Sequence, residues 1–549
     1  MKLPTVLSVL LALQLVKCGP SSDQVRENVK PKVVVLVSLD QFRWDYFERF
    51  TPFFKEDGFL RFLNQGAVLR SVRYRHAATM TCPGHATIST GANGNVNGIV
   101  ANDWYDVVRH RRIYCAEDST VTLLGHPGGG RSPRLLEVDA IGDVLKRRSP
   151  ESKVFSVAGK DRAAIMMGGH HADAAYWLQD SVITSSTYYM NQFPDWVNQF
   201  NARRLPQQMY GTVWDRVLPA GYYDKTQGPD DAWNEEDKQG LGKTFPHVIT
   251  GGSDSLDWNF YEALRKSPFD DEIVLKFAEE MVENEGIGQD DITDLLAIGF
   301  SSIDRIGHPY GPDSHEIMDN VIRTDRLLSK LFAFLEDQIG MKNVLVVVTA
   351  DHGIQRFPEN VADPDHDVLA ARVSTTTIRE DIAKILDDAF GAPPADASWI
   401  EALYYPHVYL RRAALRDRDV TLEAATGEIA KHLPELPRYS AAIPSSGEAK
   451  EGTPEQFSMY DGRSGDILIR LSNHHINSSS EFGTTHGTPW EGDRHVPMLW
   501  LGGTVAKGVY DDSLHVVDLA PTLATMLGLV IPSTMAGHVI GKLLVREDK

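Results

Sequence analysis

Hydrophobic residues along this 549-residue chain gather in short unbroken runs that end abruptly in polar chemistry. "KVVVLVSLD" (32–40), "DLLAIGFSSID" (294–304) and "NVLVVVTADHG" (343–353) share the form: aliphatic residues without alternation, then a carboxylate. A strand with one wet face alternates apolar and polar positions, so these runs predict strands buried on both faces. Between the last two runs, Ile317, Val321, Leu328, Phe332 and Leu335 fall on one face of a helix. An earlier helix carries Ile273, Phe277 and Met281 at i, i+4 and i+8 and is expected to end near Gly286. Strands alternating with helices predict an α/β fold, a mostly parallel central sheet flanked by helices on both faces. Ligands of such sheets bind beyond the carboxyl ends of the strands, where Asp40, Asp304, Asp351 and His352 stand.

Two stretches break the alternation. Residues 187–260 hold aromatic, Asn, Gly and acidic clusters such as "PDDAWNEEDKQG" and read as a loop-rich insertion near the site. Residues 356–485 contain strand-like pieces, "HVYLRR" and "DILIRL", and read as an inserted subdomain. "GHPGGGRSP" (125–133) reads as a flexible surface loop. Lys2 followed by the mostly apolar run 3–16 has the length of an export-signal core, too short to span a bilayer. Residues 1–18 are therefore expected to be a signal peptide, 31–549 the catalytic domain, and the protein periplasmic or secreted. Cys18 raises a lipoprotein alternative, which Lys17 disfavours because a small residue should precede a lipidated cysteine. No later stretch has the apolar length of a membrane span.

Composition narrows the class. With 42% hydrophobic and 24% charged residues the chain can build a large core. A formal charge of −20 argues against a nucleic-acid partner and means that an anionic substrate needs locally placed positive charge. Beyond the signal only Cys82 and Cys115 remain; one disulfide and two separate buried thiols are both open.

The chemistry-bearing residues are individually ordinary. An Asp at a strand end is commonly a helix cap or turn residue, and an Asp–His pair four apart, as in "DRIGH" (304–308), arises often by chance. Together, Asp40, Asp304, His308, Asp351, His352 and His486 form a carboxylate and imidazole set without thiolate, the ligand mix of a catalytic zinc site. Six ligands are too many for one open tetrahedral ion and suit two. A pair of ions about 4 Å apart clamps the attacking and leaving oxygens of an in-line displacement at phosphorus. "TMTCPGHATISTG" (79–91) offers Thr79, Thr81 and Cys82 around an expected Pro-Gly turn, and a metal can activate a hydroxyl that is otherwise a poor nucleophile.

The ordered set "SLDQFRWDY", "TMTCPGHATISTG", "GIVANDWYD", "GKDRAA", "DRIGH", "TADHG", "GTTHGTPW" and "VVDLAPTLATMLG" resembles the alkaline phosphatase superfamily, most of all its bacterial phosphate-irrepressible, threonine-nucleophile branch. The resemblance runs from about Lys32 to the C-terminus. It implies an alkaline phosphatase-like fold and a phosphate monoester hydrolase working through a phosphothreonine at Thr81. It also implies two Zn2+ ions, one held by Asp40, Asp351, His352 and Thr81, the other by Asp304, His308 and His486. Asn102, Lys160 and Arg162 match the residues that grip the phosphoryl oxygens, and an amide, a point charge and a planar fork complement a phosphate dianion. Small phosphorylated substrates and a monomer are expected. Sulfatases of the superfamily use Cys-x-Pro-x-Arg; here Pro83 follows Cys82 directly and Ala86 stands four residues after Cys82. The remaining alternatives are a nucleotide pyrophosphatase/phosphodiesterase, which generally lacks the Lys/Arg pair, and an inactive phosphate-binding protein.

Overall fold

The strand Val33–Leu39, buried at every position, is the middle member of a nine-stranded sheet. Asp294–Phe300 and Val344–Thr349 flank it, both parallel, with Leu39 opposite Phe300 and Ser38 opposite Thr349. Val154–Ala158 and Ala174–Gln179 continue the parallel series on one side. Every residue of the first three strands is buried, which is why their sequences show no alternation. The computed structural model describes residues 30–544 except 364, 365, 367, 395, 396 and 504; the expected signal peptide lies outside the described residues.

The outer strands make the sheet mixed. Val182–Thr184 closes one edge antiparallel to Ala174–Gln179. Beyond Val344–Thr349 come His495–Leu501 and Ala67–Arg73, each antiparallel to its inner neighbour, and Gly508–His515 parallel to the latter. The reversal has a consequence for the site. His495–Leu501 starts at the end of the sheet where the parallel strands finish, so the loop just before it, carrying His486, arrives where Asp351 leaves.

Helices flank the sheet. Phe269–Glu285 packs against Asp294–Phe300 and ends at Gly286, whose φ of 63° favours glycine. Residues 187–260 hold the short helices Asp195–Ala202 and Ala220–Gln227 and a two-residue strand pair. Between "TADHG" and "TTHGTPW" the chain builds a separate four-stranded antiparallel sheet, ordered Ile400–Tyr404, His407–Leu410, Ile467–Leu471, Tyr439–Pro444. This sheet and the helices Thr375–Phe390 and Leu422–His432 share a core that includes Ile378, Ile382, Val408, Ile429 and Ile469.

Part of one expected loop, 125–133, is a strand; residues 125–128 stay irregular. Gly129–Arg131 pairs antiparallel with Glu117–Thr122. Glycine permits it: a Cβ on Gly130 would lie 2.0 Å from the Val121 carbonyl oxygen, so the run read as flexible supplies close backbone approach instead. Among the described residues no helix is long and apolar enough to cross a membrane.

Candidate active site

Pro83 and Gly84 do not make a turn. They lie in the first turn of the helix Thr81–Thr90, all of whose residues are buried. Proline is tolerated there because a first-turn N–H has no acceptor within the helix. Gly84 is there for contact: a Cβ would sit 2.2 Å from the Asp351 carbonyl oxygen, so this helix and the "DHG" bend touch through bare backbone. Thr81 is the first helical residue, at the positive end of the helix, where an anion is favoured. Cys82 forms a disulfide with Cys115, which settles the two alternatives for those thiols. The Cys82 N–H donates to Asn102 Oδ1 at 2.8 Å, and the Cys115 N–H to the Asn102 carbonyl at 3.0 Å. Asn102 is thus held at both ends, and its side-chain NH2 is the donor left to face a ligand.

The other expected residues converge from the ends of the parallel strands. Asp40 follows Val33–Leu39, Asp351 follows Val344–Thr349, and Lys160 caps the helix Asp161–Gly168 after Val154–Ala158. Asp304 and His308 lie one turn apart on the helix Ser302–Tyr310, which follows Asp294–Phe300. The Lys160 ammonium bridges Asp40 (2.7 Å) and Asp304 (2.5 Å). His308 and His486 approach the same Asp304 oxygen at 3.3 and 3.5 Å, while His352 Nε2 lies 3.3 Å from Asp351 and 3.6 Å from Asp40. The His352 and His486 rings stack at 3.7 Å between centroids. Thr81 Oγ1 lies 3.4 Å from His352 Nε2, from Lys160 Nζ and from Arg162. All ten expected residues therefore belong to one neighbourhood.

Its chemistry suits metal ions. Two groups present ligand atoms within 4.8 Å of one another, Asp304/His308/His486 and Asp40/Asp304/His352. The first is the expected trio; in the second Asp304 stands in the place expected for Asp351, whose carboxylate lies beside His352. All three imidazoles place Nδ1 on a backbone carbonyl, His308 on Thr484 (2.9 Å), His352 on Gly353 (2.9 Å) and His486 on Thr79 (2.8 Å). Only a protonated Nδ1 can make those bonds, which leaves each Nε2, directed at the carboxylates, as the nitrogen that can present a lone pair to a metal. Asp40 Oδ1 and Asp351 Oδ2 are buried without a hydrogen bond, an arrangement that a bound cation relieves.

The charges shape one another. Burial and the charge of Asp40 push the Asp351 carboxyl well above its usual range. Burial opposes ionisation of Asp304 too, yet the Lys160 ammonium and His308 hold it well below that range. Burial and the adjacent His486 hold His352 neutral.

A sequence model of the type I phosphodiesterase/nucleotide pyrophosphatase family matches residues 34–496. The chain belongs to that family, within the alkaline phosphatase superfamily. It is 32% identical over 539 residues to alkaline phosphatase PafA of Elizabethkingia meningoseptica, spanning 94% of this chain and 95% of that one. Alkaline phosphatase PhoV of Synechococcus elongatus is 31% identical over 538 residues, 94% and 93% of the two chains. A Myroides odoratus protein named calcium-transporting ATPase is 32% identical over 525 residues, 93% and 94%. The crystal structure of wild-type PafA matches with a TM-score of 0.86 at 30% identity, covering 94% of this chain and 99% of that one.

This family member also builds its site from residues that motif reading passed over. The Arg162 backbone N–H donates to Asp161 at 2.7 Å, and Asp161 also accepts from Tyr114 at 2.6 Å and Arg131 at 2.7 Å. Gln41 donates through its backbone to Asp351 (2.9 Å) and through its amide to Asp304 (2.7 Å), so one residue ties the two halves together. His85, one helical turn after Thr81, bonds the Thr81 carbonyl at 2.8 Å, and burial pushes its pKa down to about 4. Adjacency to Asp40 and the i+4 spacing from Thr81 were the available signals. A further group, Asp139/Asp143/His170, is a structural network: Asp143 receives the backbone N–H groups of Ala140, His170 and His171.

Proposed function

We propose that this chain hydrolyses phosphate monoesters through a covalent intermediate on Thr81. The observation that carries the reading is the pair of cations flanking the hydroxyl, Lys160 and Arg162, each 3.4 Å from Thr81 Oγ1. A monoester dianion presents one more negative oxygen than a diester monoanion, and a second cation has a partner only in the first case. Asp40, Asp351 and His352 would hold one zinc ion beside Thr81, and Asp304, His308 and His486 a second. Two ions held there would lower the proton affinity of a nearby hydroxyl and draw charge from a departing oxygen.

The chain's own residues perform the rest. The start of the helix Thr81–Thr90 aims the hydroxyl, and the Asn102 NH2, the Arg162 fork and Lys160 orient the phosphoryl oxygens. Attack by Thr81 Oγ forms a bond to phosphorus as the bond to the alcohol oxygen breaks. Attack by water then breaks the Thr81–phosphorus bond and releases phosphate. The names of PafA and PhoV support this reading. The family's nucleotide pyrophosphatase/phosphodiesterase activity is the second reading. We place the enzyme outside the cytoplasm, from the signal-like residues 1–18; the Cys82–Cys115 disulfide supports that.

Metal analysis beside kcat/KM for one alcohol presented as a phosphate monoester and as a methyl diester tests the proposal. Two ions per chain and a preference for the monoester are expected. A preference for the diester overturns it in favour of the second reading.

A further inference from the structure

Two of the three groups that orient the phosphoryl oxygens in the proposed reaction depend on one β-hairpin. Its strands Asp103–Asp106 and Arg111–Tyr114 pair antiparallel, with Asp103 opposite Tyr114. Asn102 therefore enters the hairpin and Cys115 leaves it, and the bond from the Cys115 N–H to the Asn102 carbonyl closes its base. Tyr114 donates to the Asp161 carboxylate, which also accepts the backbone N–H of Arg162. The far end stands in water, with Val108 84% exposed, and a two-stranded hairpin is marginal without other support.

That support comes from the helix Thr81–Thr90. Trp104 and Ile113 of the hairpin share a buried cluster with Cys82 and Ala86 of the helix. Apolar packing is not directional; the disulfide and one hydrogen bond are. Cys82 follows Thr81, and its N–H, in the first helical turn, has no acceptor within the helix. Asn102 Oδ1 accepts that N–H at 2.8 Å. The sulfur of the same residue is bonded to Cys115, whose own N–H fixes the Asn102 backbone. Both cysteines are fully buried. A disulfide that only stabilises a fold acts through the unfolded chain and needs no particular place in the site. This one ties the residue beside Thr81 to the residue that anchors Asn102.

We propose that Cys82 and Cys115 are positioning residues: their disulfide holds the Asn102 amide in register with Thr81, and its loss weakens the grip on the transferring phosphoryl group through Asn102. The inference rests on the monoesterase reading and adds a covalent requirement to it. A donor that is no longer aimed in advance contributes less to the transition state, because its orientation has to be found anew in each encounter.

A double-mutant cycle with Asn102→Ala separates this role from stability. At a temperature well below the melting midpoint of every variant, Cys82→Ala/Cys115→Ala should lower kcat/KM for a phosphate monoester about tenfold, the size of one lost hydrogen bond. In an Asn102→Ala background the same pair should cost no more than about twofold, because the group it positions is already gone. Metal content should match wild type in every variant. Cys82→Val/Cys115→Ala, which refills the space of the lost sulfurs, should behave alike, and it stands in if the alanine pair does not fold. A lowered melting temperature with unchanged kcat/KM, or equal fold-losses in both backgrounds, overturns the positioning role. Failure of the wild-type enzyme to hydrolyse the monoester overturns the underlying function instead.

Discussion

Replacing Arg162 tests the monoesterase reading more cleanly than replacing Lys160. The Lys160 ammonium is the counter-ion of two buried carboxylates, Asp40 and Asp304; its loss leaves both unpaired and disturbs any metal they hold. Arg162 leaves no such gap, because Asp161 keeps Arg131 and the Tyr114 hydroxyl. Its nitrogen is 3.4 Å from Thr81 Oγ1, so an oxygen of a phosphorus bonded to that atom falls within hydrogen-bond reach. The Coulomb attraction of unit charges at this range is about 5 kcal/mol for an effective dielectric of about 20. Net of desolvation, a charge-assisted hydrogen bond contributes about 1.5–3 kcal/mol, or about one to two decades of kcat/KM. Arg162→Ala should therefore slow monoester hydrolysis by about 10- to 100-fold and leave a matched diester nearly unaffected. Steady-state rates on both substrates, under subsaturating conditions, read the difference. Equal losses on both would refute the argument that the guanidinium recognises the additional charge.

Two other consequences concern stability. The Cys82–Cys115 disulfide closes a loop with a sequence separation of 33, worth about 3–4 kcal/mol on chain-entropy grounds; Cys115→Ala should lower the melting temperature, and a difference that persists with reductant present would point to packing instead. Glu235 is held protonated, its pKa pushed up to about 9 by burial first and then by Glu316 and Asp230. The folded chain retains a proton that the unfolded chain releases, so stability falls as pH rises from about 4.5 towards about 9. Glu235→Gln removes that loss, and its advantage in melting temperature over wild type should grow from about pH 5 to about pH 9; a gap independent of pH would show the carboxyl is not the cause.

The doubly buried strands were legible because burial on both faces leaves one signature, the unbroken aliphatic run of "KVVVLVSLD" or "NVLVVVTADHG". The polar residues at their ends were legible for the same reason, since the fold class says where a strand end points. The helix at Thr81 was not: Pro-Gly signals a turn locally, and only the contact between Gly84 and the Asp351 backbone shows why it begins a helix. The same limit hid Tyr114 and Arg131, which reach Asp161 from strands far away in sequence. The disulfide stayed open because spacing carries no information on whether two cysteines share a wall of the core. "GHPGGGRSP" misled by composition, as glycine serves close packing as readily as freedom.

Phosphoryl transfer to Thr81 Oγ1 is tested most directly by trapping the covalent intermediate. Enzyme quenched in acid during turnover of a phosphate monoester, digested and read by mass spectrometry, should carry phosphate on Thr81, and Thr81→Ala should show neither the adduct nor most of the turnover. Phosphate on another residue, or near-normal turnover by Thr81→Ala, would contradict it.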